Sequence, residues 1–190
     1  MMNQENPISD EALIEAIQKG DGSAAARLYH RYIDRVHRIC YRIVLDSSQV
    51  KDCVQEVWLK VFRHLDRFQC GKSFTSWLNS ITANTAIDFY RKSIRRKNHI
   101  VLDKILMEEL IANEQTGHQV IEENRIHWLI QQALREISAT QRAAFILRYF
   151  EDMPTAEIAG TLGCSEGTAR THIRRSLLAL RDKLAIKLKH

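Results

Sequence analysis

Glycine and proline are scarce in this chain of 190 residues, at 7 and 2. Turn punctuation is therefore sparse, which works against many short strands and favours long helices. No apolar stretch approaches the ~20 residues that span a bilayer, so direct membrane insertion is not expected and a membrane role would have to come through a partner. The N-terminus lacks the apolar run of a secretory signal. Cysteine is limited to Cys40, Cys53, Cys70 and Cys164, without a C-x-x-C pair. Reduced thiols in a cytoplasm are the expectation. His37 and Cys40 would share a helix face, but a zinc site wants three or four close ligands, and small buried Cys is the simpler account. A P-loop, an H-E-x-x-H helix and a nucleophile triad are also missing. The expectation is no enzyme, no catalytic residue, no metal and no cofactor.

What is present fits a soluble globular protein: 45% hydrophobic and 27% charged residues. Lys and Arg outnumber Asp and Glu by 28 to 23, and the net charge of +5 is unevenly spread. Residues 91–97, RKSIRRK, are mostly basic, and residues 170–189 are rich in Arg and Lys. Residues 103–124 carry Asp103, Glu108, Glu109, Glu114, Glu122 and Glu123 against Lys104. There is no repeat of fixed period.

Apolar periodicity at steps of three and four organises the chain into two helical blocks. Ser9 opens a helix that Gly20 ends, and a second follows Asp21-Gly22-Ser23 with Leu28, Tyr32, Val36, Ile39, Cys40 and Ile43 inward. Ser47 and Ser48 cap a third, whose stripe Val50, Cys53, Val54, Val57, Val61 and Leu65 leaves Asp52, Gln55 and Glu56 together on the far side. The fourth buries Phe74, Trp77, Leu78 and Ile81 and aligns Ser80, Asn84, Asp88, Arg91 and Arg95 as a polar stripe. From His99 to about Asn124 periodicity weakens, which reads as a linker. A second block resumes at Ile126, with a capping box at Ser138-Ala139-Thr140-Gln141. The predicted fold is all-α: two small helical domains, 9–98 and 125–187, joined by a flexible acidic linker, 99–124.

In the second block Thr155 caps a short helix through Leu162, Gly163 takes the left-handed turn, and Ser165 caps the next helix. That is a helix-turn-helix. Ala169, Ile173, Leu177, Leu180 and Leu184 face inward, so Arg170, Thr171, His172, Arg174 and Arg175 project where a recognition helix meets base edges and phosphates. Arginine suits both, because its fork takes guanine O6 and N7 together or bridges phosphate oxygens. A solvated basic helix in a bundle would carry the same charges. In the first block Phe68, Asn84, Asp88, Lys92, Arg95 and Arg96 have the chemistry for an unstacked base: an aromatic wall, amide and carboxylate for its pairing edge, and cations for phosphates. A core Phe beside a solvated polar face accounts for them equally, and spacing alone favours that account.

Three stretches, DCVQEVWLKVFRHLDRF, SFTSWLNSITANTAIDFYRK and ISATQRAAFILRYFEDMPTAEIAGTLGCSEGTARTHIRRS, occur in the order and at the separations found in bacterial sigma factors of the extracytoplasmic-function (ECF) type. The chain resembles that family from about Ser9 to Leu184, the linker excepted. The resemblance implies that Asp52, Gln55 and Glu56 dock on the clamp helices of the RNA polymerase beta-prime subunit. It implies that the turn from Phe68 to Ser73 receives a flipped base of the minus-ten promoter element, with Asn84 and Asp88 at pocket positions. Arg91, Lys92, Arg95 and Arg96 would then hold DNA at the melting point. Arg170, Thr171, His172, Arg174 and Arg175 fall on positions that read the minus-thirty-five element, while Phe145 and Arg148 lie on the surface that meets the beta flap. The acidic linker would thread toward the RNA exit path.

This chain has Leu177 where Arg is common in the family, and its loop residues Gln69, Cys70 and Lys72 are individual. The implied partners are core RNA polymerase, double- and single-stranded promoter DNA, and an anti-sigma factor that would hold a cytoplasmic protein at the inner membrane. Two other readings remain: an operator-binding repressor or activator, and a nucleic-acid hydrolase.

Overall fold

A computed structural model of the protein describes residues 8–68, 71–97, 130 and 132–187. The fold is all-α, in a front and a rear group of helices. The expected acidic linker lies outside the described residues, as do loop residues Gln69 and Cys70.

Local chemistry sets each helix start. Helix α1 (Asp10–Gln18) begins where the Ser9 hydroxyl accepts the Ala12 N–H at 3.2 Å, and Gly20 just beyond its end adopts φ 94°. Helix α2 (Gly22–Val44) is capped by Asp21, whose Oδ1 accepts the N–H groups of Ser23 at 2.8 Å and Ala24 at 3.3 Å. Bonding from Ser23, then Ala24, holds the Asp21 carboxyl below its ordinary value. Helix α3 (Ser47–His64) starts one residue earlier than Ser47 and Ser48 predict a cap. The chain turns at Leu45, which is left-handed at φ 58°, so Asp46 is the last extended residue. Its carboxylate takes the Ser48 hydroxyl at 2.6 Å and the Gln49 amide at 2.8 Å. Helix α4 (Phe74–Lys97) follows Ser73, which accepts the Ser76 N–H.

The predicted stripes meet in the front group's core. Leu28, Val36, Ile39 and Ile43 of α2 are fully buried, with Val57 and Val61 of α3 and Leu78 of α4. Each such aliphatic side chain removed from water stabilises the fold by roughly 1.5–3 kcal/mol. Trp77 and Ile81 are half-buried and pack on this core.

In the rear group helical residues 132–135 precede α5 (Ala139–Tyr149). Its predicted capping box is formed: the Ser138 hydroxyl accepts the Gln141 N–H and the Gln141 side chain accepts the Ser138 N–H, both at 3.2 Å. Helix α6 (Thr155–Leu162) has Pro154 at its cap position, not Thr155. Proline's fixed φ suits an extended entry, and Thr155 becomes the first helical residue. Gly163 ends α6 at φ 63°, ψ 38°, and α7 (Glu166–Lys187) starts with the Ser165 hydroxyl accepting the Thr168 N–H at 3.2 Å. The α7 face toward α5 is Ala169, Ile173, Ser176 and Leu180. Leu177, expected inward, is 45% exposed, because Ser176 takes the inward step after Ile173.

The two groups pack on each other, with α2 and α4 against α5 and α6. Fully buried Arg142 of α5 donates to the carbonyls of Leu134 at 2.8 Å and Ile137 at 3.1 Å in its own group, and to Ile43 O in α2. Its guanidinium lies over the Tyr90 ring of α4, 4.3 Å from the centroid. Burial lowers its pKa.

Candidate nucleic-acid interface

Helix α7 presents Arg170, Thr171, Arg174 and Arg175 to solvent. Arg170 is held by Glu166 one turn earlier at 2.8 Å, and the Thr171 hydroxyl donates to the Gly167 carbonyl at 2.9 Å. Arg174 and Arg175 make no ion pair among the described residues, and both are exposed. His172 departs from the outward expectation: it is half-buried, with Nδ1 shielded and unpartnered. It lies three residues after Ala169 and four before Ser176, both buried, which puts it at the edge of the buried stripe of α7.

On α4, Asn84, Asp88, Arg91, Lys92 and Arg95 are exposed along one face, while the Arg96 side chain lies outside the described residues. Asp88 and Arg91 stand 4.0 Å apart, both more than half exposed, a pairing that water makes weak. Phe68 does not stand as an exposed wall beside them. It is 7% exposed, with its ring 5.6 Å from Phe74 and 5.4 Å from Trp77. The 3₁₀ turn Leu65–Arg67 aims it inward, its N–H bonded to Leu65 O at 3.2 Å. The half-buried Trp77 is the ring of this cluster nearest solvent.

Asp52 and Gln55 of α3 are exposed, and Glu56 beside them reaches Lys60 at 4.0 Å. Leu59, 50% exposed, and Phe62, 39% exposed, continue this face toward the helix C-terminus. Sequence reasoning missed both. Their signal is spacing: they stand three to four residues beyond Gln55 and Leu59 in turn, where a merely solvated face would be polar.

In the rear group Phe145 is buried with its ring 4.9 Å from Tyr149 and 6.0 Å from Phe150, both of which are exposed. Arg148 is exposed and donates to Met153 O at 3.3 Å. An open cleft of about 580 Å³ lies where α4 meets the start of α5, lined by Arg91, Arg95, Arg135, Ser138 and Thr140.

His37 and Cys40 do not share a face. His37 is exposed and stacks on Tyr41, whereas Cys40 is fully buried with its sulfur 3.5 Å from Cys53. That contact, then burial, pushes the Cys40 thiol far above its ordinary value, so it stays protonated. Among the described residues no three His, Cys, Asp or Glu converge as metal ligands, and no helix is long and apolar enough to cross a membrane.

The Sigma-70 region 2 family matches residues 28–96, and the Sigma-70 region 4 family matches residues 127–180. The chain is 32% identical to the ECF RNA polymerase sigma factor SigE of Mycolicibacterium smegmatis, over 93% of this chain and 70% of that protein. It is also 32% identical to the ECF RNA polymerase sigma-E factor of Escherichia coli K12, over 93% and 95%. For the Bacillus subtilis sigma factor SigW the identity is 26%, over 90% and 94%. Two solved structures share the fold at 20% identity. The sigma factor RpoE, in complex with the anti-sigma factor NepR from Bartonella quintana, has a TM-score of 0.63 over 85% of this chain and 96% of its own. CnrH, in complex with the cytosolic domain of CnrY, has a TM-score of 0.64 over 93% and 97%.

Proposed function

The chain belongs to the extracytoplasmic-function sigma factors of bacterial RNA polymerase, and from that premise we propose how its residues divide the work of initiation. The observation that carries the proposal is the pairing, in one chain, of a helix-turn-helix whose outward Arg174 and Arg175 make no ion pair among the described residues and a separate helix with an acidic and amide face. Asp52, Gln55 and Glu56 dock on basic residues of the beta-prime clamp helices, with Leu59 and Phe62 adding apolar contact at the end of the same face. Arg174 and Arg175, with Arg170 and Thr171 beside them, contact the minus-thirty-five element from the major groove. Phe145 and Arg148 belong to the surface that meets the beta flap.

The face of Asn84, Asp88, Arg91, Lys92 and Arg95, continued by Arg96, receives the melted minus-ten strand. Unstacking a base costs a few kcal/mol, and phosphate contacts along α4 with polar contacts to the flipped base offset that cost. No bond is made or broken: the protein works by binding energy and is not an enzyme. Phe68 supports the loop from the core side, packed on Trp77. Residues 9–98 and 125–187 act as the two functional units, with 99–124 threading toward the RNA exit path. An anti-sigma factor holds the protein silent, which the solved complex of RpoE with the anti-sigma factor NepR supports by analogy of fold. That partner would keep a cytoplasmic protein at the inner membrane.

Runoff transcription with purified core polymerase tests the reading. Adding the protein is expected to start transcripts at defined promoters, and the absence of stimulation on every genomic template would overturn it. An operator-binding repressor would instead bind a palindromic duplex tightly without polymerase.

A further inference from the structure

Positive charge collects, with few carboxylates to match it, around the cleft between the end of α4 and the entrance to α5. Arg91 and Arg95 border it from α4 and Arg135 from the rear group, and among the described lining residues Glu136 is the one carboxylate. Arg95 and Arg135 make no ion pair among the described residues. Arg91 reaches Asp88 at 4.0 Å, on an exposed surface where water weakens the pairing. The Nε of Arg135 is shielded from solvent and has no hydrogen-bond partner among the described residues, a costly state for a donor.

A further guanidinium lies beneath. Arg142 is fully buried against the ring of Tyr90, which lines the cleft, and its contacts are backbone carbonyls and that ring rather than a carboxylate. Burial lowers its pKa, and the nearby charge of Arg135 adds to the lowering. Buried charges are ordinarily paired with an opposite charge. This one has more cations for neighbours.

The rest of the wall supplies what a phosphate ligand needs besides charge. The Ser138 hydroxyl accepts the Gln141 N–H and the Thr140 hydroxyl accepts from Arg91 at 3.3 Å, and neither donates its own proton among the described residues. The N-terminus of α5 opens at the same point, where the helix dipole favours an anion. Half-buried Tyr90 and Ile94, 41% exposed, give the cleft an apolar side. Its volume of about 580 Å³ is in the range of small-ligand sites.

We infer that this cleft binds a small ligand carrying a diphosphate group, whose oxygens are shared by Arg95 and Arg135 across the junction and by the Ser138 and Thr140 hydroxyls. Two linked phosphoryl groups match the charge excess of the cleft better than one. The site goes beyond the division of work proposed above. It shares Arg91 and Arg95 with the face assigned to the melted strand, so on that assignment the ligand also competes with the strand.

Isothermal titration calorimetry of the full chain tests the site, with ADP, inorganic pyrophosphate and inorganic phosphate as probes. ADP and pyrophosphate are each expected to bind at least about tenfold more tightly than phosphate and to raise Tm with concentration. The tighter of the two identifies the source as a nucleotide or as the inorganic ion. Arg135→Gln and Arg95→Gln, one from each helical group, should each weaken that binding about tenfold by removing a charged hydrogen bond. Arg38→Gln, at an exposed arginine of α2 outside the cleft, should leave it unchanged.

Equal affinity for all three probes, or losses no larger in the cleft variants than in Arg38→Gln, means attraction to surface charge in general and overturns the inference. Arg95 is exposed, so Arg95→Gln keeps the test open should Arg135→Gln fail to fold by circular dichroism. Random single-stranded DNA that binds through Arg135 while neither diphosphate binds would assign the cleft to the strand and overturn the inference as well. Wild-type runoff transcription reports separately on the sigma-factor role, so failure of the ligand site and failure of that role give different results.

Discussion

Arg174 and Arg175 differ from Arg170 in one respect that matters for DNA: neither spends its charge on a carboxylate of its own helix, whereas Arg170 is paired with Glu166. Replacing both with Ala is expected to weaken holoenzyme binding to promoter DNA and to flatten the dependence of log affinity on log salt by roughly one unit per lost phosphate contact. Binding measured across a salt series checks this, and an unchanged slope would place the two residues off the DNA. The outward positions of these arginines were legible from the apolar spacing of α7. The exceptions were single-residue matters that spacing cannot decide. His172 and Leu177 sit at the edges of the buried stripe, where a small rotation of the helix exchanges the inward residue for its neighbour, as Ser176 shows. Phe68 was legible only as an aromatic beside a polar face, and the 3₁₀ turn before it determined that it joins the core.

Helices were the most legible scale, because their signals are local. Caps at Ser9, Ser138 and Ser165 and the stop at Gly163 could be named from residue chemistry, the start of α2 only as following Asp21-Gly22-Ser23, and the buried stripe from Val50 to Leu65 matched its spacing. Cap identity slipped where two candidates adjoin, at Asp46 and Pro154, since a left-handed turn or a fixed φ nearby selects between them. Ser138→Ala removes one half of the capping box and should destabilise the protein by ~1 kcal/mol in urea unfolding. The Asp21 cap gives a pH-dependent counterpart. Its folded pKa is depressed by bonds from Ser23 and Ala24, so its contribution is present above the unfolded carboxyl value and is lost as pH falls through the folded one. The Tm gap between wild type and Asp21→Ala should therefore stay open near neutral pH and narrow as the solution is acidified below the carboxylate range. A gap that widens in acid would contradict the cap. On α3, Asp52→Lys with Glu56→Lys should abolish pull-down by core polymerase while leaving the thermal transition within a few degrees. Asp52 is exposed and the Glu56 side chain is 41% exposed, and surface exchanges usually stay within ±0.5 kcal/mol.

At the scale of the whole molecule the sequence was nearly silent about how the two groups meet. Arg142 and Ile43 are 99 residues apart, and Arg35 and Glu151 116. No local period encodes such pairs, and an arginine in an otherwise apolar helix face reads simply as a polar residue. Its surroundings say otherwise: the guanidinium is fully buried, shared among three backbone carbonyls from both groups, and covered by Tyr90. Replacing Arg142 with Leu leaves these carbonyls without their donors. At ~1–3 kcal/mol for each buried group left unsatisfied, partly relieved by local relaxation, the loss should be roughly 3 kcal/mol. The rear group bears more of it, because two of the three carbonyls, Leu134 and Ile137, are its own. The wild type should unfold in one transition seen alike by far-ultraviolet circular dichroism, which reports both groups, and by tryptophan fluorescence. In a Trp128→Phe background the remaining indoles, Trp58 and Trp77, report the front group alone. Adding Arg142→Leu to that background should move the dichroism transition ahead of the fluorescence transition. Coincident transitions at lowered stability would mean instead that the apolar contacts between the groups suffice to keep them one cooperative unit.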